Sequence, residues 1–276
     1  MIQLQNVDAL LAAHDVFFVD QFGTLHNGTR PYPGAAAALR RLRAAGGRVV
    51  LLSNSGKRAA INTQRLMRLD IMPDAYDVML TSGEVAFRML AAGQIAAARG
   101  VSRCLLLERD GDGSLLDGLN LTAVSADAAQ LLIIAGSEGD RRTLAWYRDL
   151  LAPLARRAVP ALCINPDRTM LTPNGLAFGA ARIGETYAAL GGDVTWIGKP
   201  YPAIYDAARA ALGNPAPARA AGIGDSIEHD IVGARRAGCG AWLVRTGIID
   251  GWDDAAIAAE CSRYGVTPDG VLERFA

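Results

Sequence analysis

An α/β fold built on a parallel sheet is the architecture this sequence predicts, and three observations predict it. Apolar, β-favouring runs alternate with helical segments, several of those runs end on a chemically useful side chain, and the same alternation stands at both ends of the chain around a separate middle set. Val16-Phe17-Phe18-Val19 ends on Asp20 and the turn Gln21-Phe22-Gly23-Thr24; Ala220-Ala221-Gly222-Ile223-Gly224 ends on Asp225. In open α/β sheets the ligand crevice lies outside the carboxyl ends of the strands, so two acids delivered this way converge.

The elements follow in order. After the strand to Asp20, a helix is expected from Gly34 to about Ala45, closed by Gly46-Gly47, because Leu39, Leu42 and the arginines recur at helical spacing among alanines. Arg48 to Leu52 forms the next strand, ending at Ser53-Asn54, followed by a helix from Lys57 to about Leu69 and a strand from Asp77 to Thr81-Ser82. Near the carboxyl end come a strand Val194–Ile197 ending at Gly198-Lys199-Pro200, a helix from Pro202 to Leu212, the strand to Asp225, a helix over Glu228 to Ala237 and a strand Ala241–Val244. Polar residues end many strands simply because loops are polar. Acid, hydroxyl, hydroxyl, ammonium and acid on one rim are harder to dismiss.

These two ends read as one split domain, residues 1–82 and 193–276. Residues 83–192 carry their own strands, Cys104–Leu107, Leu131–Ile134 and Ala161–Ile164, with a helix around Leu144 to Arg157, and so read as an inserted α/β lobe. Thr81-Ser82-Gly83 and Gly191-Gly192 are the expected crossings.

Composition narrows the partners. The chain has 276 residues, enough for two lobes, and 28 basic against 28 acidic residues, so no broad field attracts nucleic acid or an anionic membrane. No apolar run reaches membrane-spanning length, and Met1-Ile2-Gln3-Leu4-Gln5 shows no basic segment leading into an apolar one. Cys104, Cys163, Cys239 and Cys261 are scattered without a C-x-x-C pair, which reads as reduced core cysteines of a cytoplasmic protein. Oligomeric state stays open, a homo-oligomer included.

The order and spacing of Asp20, Ser53, Lys199, Gly224-Asp225 and Asp230 resemble the haloacid dehalogenase (HAD) superfamily. The position of the insertion is similar to its NagD-like branch, class IIA, which includes p-nitrophenyl, sugar-phosphate and nucleotide phosphatases. Gly222 to Ala234 followed by Ala237-Gly238 is the most specific segment, and Asn165-Pro166-Asp167 resembles that branch's substrate-facing cap loop. The resemblance implies a Rossmann-like core with an inserted cap and a Mg²⁺-dependent phosphohydrolase acting on a small phosphorylated metabolite. It implies Asp20 as nucleophile, with Asp20, the Phe22 main-chain carbonyl and Asp225 as metal ligands. Ser53 and Lys199 would hold the phosphoryl group, and Asn54, Asn165 and Asp167 would meet substrate. Asp230 would hold a metal water, orient Lys199, or merely sit in a helix first turn where acids are favoured.

One departure matters. Phosphatases of this superfamily usually carry a second aspartate two residues after the nucleophile as general acid and base, and this chain has Phe22 there. Its carbonyl can still bind metal, but its ring moves no proton. His26, in the expected flap Leu25-His26-Asn27-Gly28, is the nearest substitute, against the plainer reading of a turn-packing residue. Two alternative functions follow: a phosphate-binding regulatory protein with little turnover, and, less favoured by the two acids, a carbon–halogen hydrolase. Ser53-Asn54-Ser55-Gly56-Lys57-Arg58 lacks the leading glycine and the final hydroxyl of a P-loop. Gly222-Ile223-Gly224 lacks the third glycine of a dinucleotide fingerprint and is followed by an acid.

Overall fold

The computed structural model describes residues 4–172 and 175–276, so the first three residues of the amino-terminal reading lie outside it. Two compact units are present. The first comprises residues 1–53, 60–80 and 199–276; the second comprises 54–59 and 81–198.

The first unit is a seven-stranded sheet. Its strands are β1 (Leu4–Gln5), β2 (Val16–Asp20), β3 (Arg48–Ser53), β4 (Val78–Thr81), β12 (Ala220–Gly224), β13 (Gly240–Val244) and β14 (Gly270–Leu272), in the order β1-β14-β13-β12-β2-β3-β4. The ladders from β1 across to β3 are parallel. Every residue of β2, β12 and β13 is buried, the pattern of strands covered on both faces. The covering helix Ala35–Ala44 buries Ala35, Ala38, Leu39 and Leu42, one helical stripe, and Pro202–Ala211 buries Ile204, Tyr205 and Ala208. Strand order reverses between β2 and β12, the switch point at which such sheets bind ligands. Asp20 pairs across to Leu52, and Val19 to Ile223, so Ser53 and Asp225 each lie just past their strand's pairing with β2.

In the second unit, five parallel strands run in the order β11-β8-β7-β5-β6: β5 (Arg103–Leu107), β6 (Thr122–Ala123), β7 (Leu131–Ile134), β8 (Ala161–Cys163) and β11 (Val194–Trp196). An antiparallel pair, β9 (Thr169–Thr172) and β10 (Gly175–Phe178), stands beside them in sequence. Leu132, Ile134, Tyr147, Leu151, Leu154, Ile183 and Tyr187 make this unit's own core.

Three expectations are corrected. The strand Val194–Ile197, expected in the first sheet, appears as β11 and pairs with β8 in the second. The return crossing accordingly lies between Gly198 and Lys199, while Gly191 and Gly192 close the helix Ala180–Ala189 through bonds to Ala188 and Tyr187 carbonyls. Asn54–Ala59 also belongs with the second unit. Apolar character marks a strand but does not name its partner, which is a tertiary property.

Candidate active site

Asp20 is carried to the switch point by a fully buried strand. Its carboxylate accepts from the Lys199 ammonium, and the same Nζ lies 2.7 Å from Asp230 Oδ1. The other Asp230 oxygen accepts the Ser226 N–H at 3.0 Å. Asp230 therefore orients Lys199 and ties down the start of its own helix. The helix expected over Glu228 to Ala237 opens with a π turn, Ile227–Ile231, and Ser226 caps it by accepting the His229 N–H. Such turns recur at functional sites because they re-aim one side chain. A Cβ on Gly224 would stand 2.1 Å from the Asp230 carboxyl, so the strand can pass this close only as glycine.

Asp225 is gripped by backbone. Its Oδ2 accepts the Ile248 N–H at 2.6 Å, and Cβ atoms on Gly23 or Gly247 would fall 2.1 and 2.0 Å from that oxygen. Thr246 Oγ donates to the Gly23 carbonyl at 2.5 Å, closing the bracket. Sequence reasoning missed Thr246, Gly247 and Ile248; a glycine after a strand end was the only signal. Gly23→Ala, at φ +94°, is expected to lose about 2 kcal/mol from backbone strain alone, and more by displacing Asp225, measured by urea unfolding.

Electrostatics set this group apart. Asp20, Asp225 and Asp230 bring ligand-capable oxygens within 4.8 Å of one another, all buried, against one lysine. Burial pushes the Asp225 carboxyl well up, reinforced by the Asp20 and Asp230 charges. Burial also raises Asp20, opposed by Lys199. For Lys199, burial works against the ammonium, yet Asp20 and Asp230 outweigh it and keep it protonated. Asp20 Oδ2 is buried without a hydrogen-bond partner. An orphaned carboxylate oxygen amid excess negative charge suits a hard divalent cation or an electrophilic centre.

The flap departs from the catalytic expectation for His26. The imidazole is 1% exposed, its Nδ1 accepts the Gly28 N–H at 3.0 Å, and it meets the Phe22 ring edge-on at 5.7 Å between centroids. Burial, then Arg65, lowers its pKa to about 4, so near neutrality it holds no imidazolium proton to give. Gln21 is also turned away, donating to Met79 Sδ at 2.9 Å, whereas Phe22 is 45% exposed. Because the folded pKa lies below the unfolded one, His26 contributes stability that is full above pH 6.5 and drains as pH falls toward 4. Native protein is therefore expected to lose up to about 2 kcal/mol more than His26→Asn between pH 7 and pH 5 in urea unfolding.

Asn54, Asn165 and Asp167 meet within the second unit. Asn54 Nδ2 donates to Asp167 Oδ1 at 2.9 Å, and the Asp167 N–H donates to Asn165 Oδ1 at 3.3 Å.

This arrangement has relatives. Residues 17–132 match the family model described as haloacid dehalogenase-like hydrolase, and residues 196–276 match one described as HAD-hydrolase-like. Sugar-phosphatase AraL of Bacillus subtilis is 31% identical over 280 residues, covering 96% of this chain and 94% of the relative. D-glycerol 3-phosphate phosphatase of Mycobacterium tuberculosis is 30% identical over 258 residues, covering 90% of this chain and 67% of the relative. The crystal structure of a glycerol phosphate phosphatase from Mycobacterium tuberculosis in complex with magnesium superposes with a TM-score of 0.74 at 26% identity, covering 96% of this chain and 77% of that one. With two family models spanning most of its length and an acid pair at the switch point, the chain belongs to the haloacid dehalogenase-like hydrolases.

Proposed function

We propose that this protein is a Mg²⁺-dependent phosphohydrolase that releases phosphate from a small phosphorylated metabolite, such as a sugar phosphate or nucleotide, through an aspartyl-phosphate on Asp20. The observation that carries this reading is the buried group of Asp20, Asp225, Asp230 and Lys199, in which Asp20 keeps one oxygen without a partner. The phosphatase relatives support it, as does the magnesium complex of one of them.

Asp20, the Phe22 carbonyl and Asp225 fit as the residues that would hold the ion, since three buried carboxyls share one lysine and Lys199 pairs with Asp20 and Asp230, which leaves Asp225 the place for a second positive charge. When bound, Mg²⁺ supplies positive charge against the phosphoryl oxygens. A carboxylate oxygen of Asp20 attacks phosphorus as the ester oxygen departs, and water then cleaves the acyl phosphate, restoring the carboxylate. The Ser53 hydroxyl donates to a phosphoryl oxygen. Lys199, fixed by Asp230, balances the charge gathered there. Four buried free cysteines suit a reducing, cytoplasmic setting. No helix among the described residues is long and apolar enough to cross a membrane.

A second reading, a phosphate-binding protein with little turnover, is favoured by Phe22 alone. The test is a panel of aryl, sugar and nucleoside phosphates and haloacids, with and without metal. Aryl phosphate hydrolysis is expected to vanish with EDTA and return with Mg²⁺, and Asp225→Asn to raise the Mg²⁺ requirement while lowering the rate. Metal-independent release of halide, with phosphate esters untouched, would overturn the proposal.

A further inference from the structure

Ser53 and Lys199 occupy special places along the chain: Ser53 is the last residue before the second unit begins at Asn54, and Lys199 is the first after it ends at Gly198. Whatever holds Asn54 and Gly198 therefore holds, one peptide bond away, the two groups assigned to the phosphoryl oxygens. Within the second unit both are held by the same cluster. Asn54 is buried and donates through Nδ2 to Asp167 Oδ1 at 2.9 Å. Asp167 belongs to the turn Asn165-Pro166-Asp167, braced by its own N–H to Asn165 Oδ1. Gly198, at φ +127°, passes so close that a Cβ would stand 2.4 Å from Ser82 Oγ, 2.8 Å from Pro166 Cδ and 2.9 Å from Asn54 Oδ1. The remaining crossing joins in: Thr81 Oγ donates to the Lys57 carbonyl at 2.6 Å and the Gly83 N–H to the Ser55 carbonyl at 3.0 Å.

We infer that Asn54 and Asp167 are positioning residues: their hydrogen bond clasps the chain crossings together and so sets where Ser53 and Lys199 present hydroxyl and ammonium. The inference rests on the phosphohydrolase reading for its catalytic consequence, but the clasp itself does not. It also reassigns Asp167, whose carboxylate was expected to meet substrate. The two roles make different demands. A clasp needs an oxygen acceptor facing Asn54 and affects every substrate alike, because the phosphoryl group is common to all. A substrate contact affects only those substrates whose leaving group reaches it. A misplacement of about 1 Å in such a site can cost about a hundredfold in rate.

The test uses the full chain with Mg²⁺ and the variants Asp167→Ala, Asp167→Asn, Asn54→Ala and the double alanine variant. Hydrogen–deuterium exchange is followed in peptides spanning residues 50–58 and 196–204, with those spanning 220–225 as control, and kcat and KM are measured on acetyl phosphate, p-nitrophenyl phosphate and glycerol phosphate. Asp167→Ala is expected to speed exchange in the first two peptides but not the control, and to lower kcat roughly ten- to a hundredfold by a common factor on all three substrates, with KM moving less than threefold. Asp167→Asn keeps the acceptor oxygen and is expected to recover most of both losses. The double variant should be no worse than the worse single one, because both remove one bond. Native exchange at the crossings in both Asp167→Ala and Asn54→Ala overturns the inference, as do losses that grow with leaving-group size or losses that add in the double variant. Should native protein show no Mg²⁺-dependent turnover, the functional reading fails while the exchange measurement still decides the clasp; should Asp167→Ala not fold, Asn54→Ala carries the same comparison.

Discussion

Asp20→Asn is expected to abolish turnover, by about 10⁴-fold or more, since the proposed mechanism makes Asp20 the covalent nucleophile and its loss removes the step on which the others act. The substitution also removes one of three clustered acids and leaves Lys199 paired with Asp230. Burial and carboxylate repulsion act against ionised Asp20, so the neutral amide is expected to leave the metal-free fold as stable as the native one or more so. Inactivity and unfolding are thus separable by measuring kcat on p-nitrophenyl phosphate beside urea unfolding of the same sample. Native protein quenched in acid during turnover should carry a phosphoryl group that Asp20→Asn lacks. Undiminished hydrolysis by the variant sinks the mechanism.

The second large effect concerns the leaving group. Phe22 stands where the family resemblance would place an assisting acid, its ring at right angles to that of His26 and within 2.9 Å of a Cβ placed on Gly28. With burial lowering the His26 pKa to about 4, neither residue is expected to supply a proton near pH 7. Aryl and acyl phosphates, whose leaving groups carry negative charge well, should exceed alkyl phosphates by about 10²- to 10⁴-fold in kcat/KM, the usual worth of acid catalysis. Phe22→Asp should raise alkyl turnover. His26→Asn should leave the pH–rate profile without a changed limb between pH 5.5 and 7.5. A series of esters with graded leaving groups decides the matter: a flat dependence, with chemistry rate-limiting, means that another residue supplies the acid.

What the sequence by itself determined is local. An apolar run ending on an acid is legible because burial and turn chemistry are written in adjacent residues, so β2 with Asp20 and β12 with Asp225 could be read, and with them the parallel sheet. Strand ends also marked Ser53 and Lys199, and the family resemblance marked Phe22. The tertiary structure alone decided the rest. It assigned β11 to the second sheet, because a strand's apolar pattern is the same whichever neighbour it pairs with. It turned Asp230 onto Lys199 through a π turn, buried His26 until it holds no charge, and brought Thr246, Gly247 and Ile248 against Asp225 from far along the chain. Those outcomes depend on distances and solvent exclusion among residues remote in sequence, quantities that no local pattern encodes.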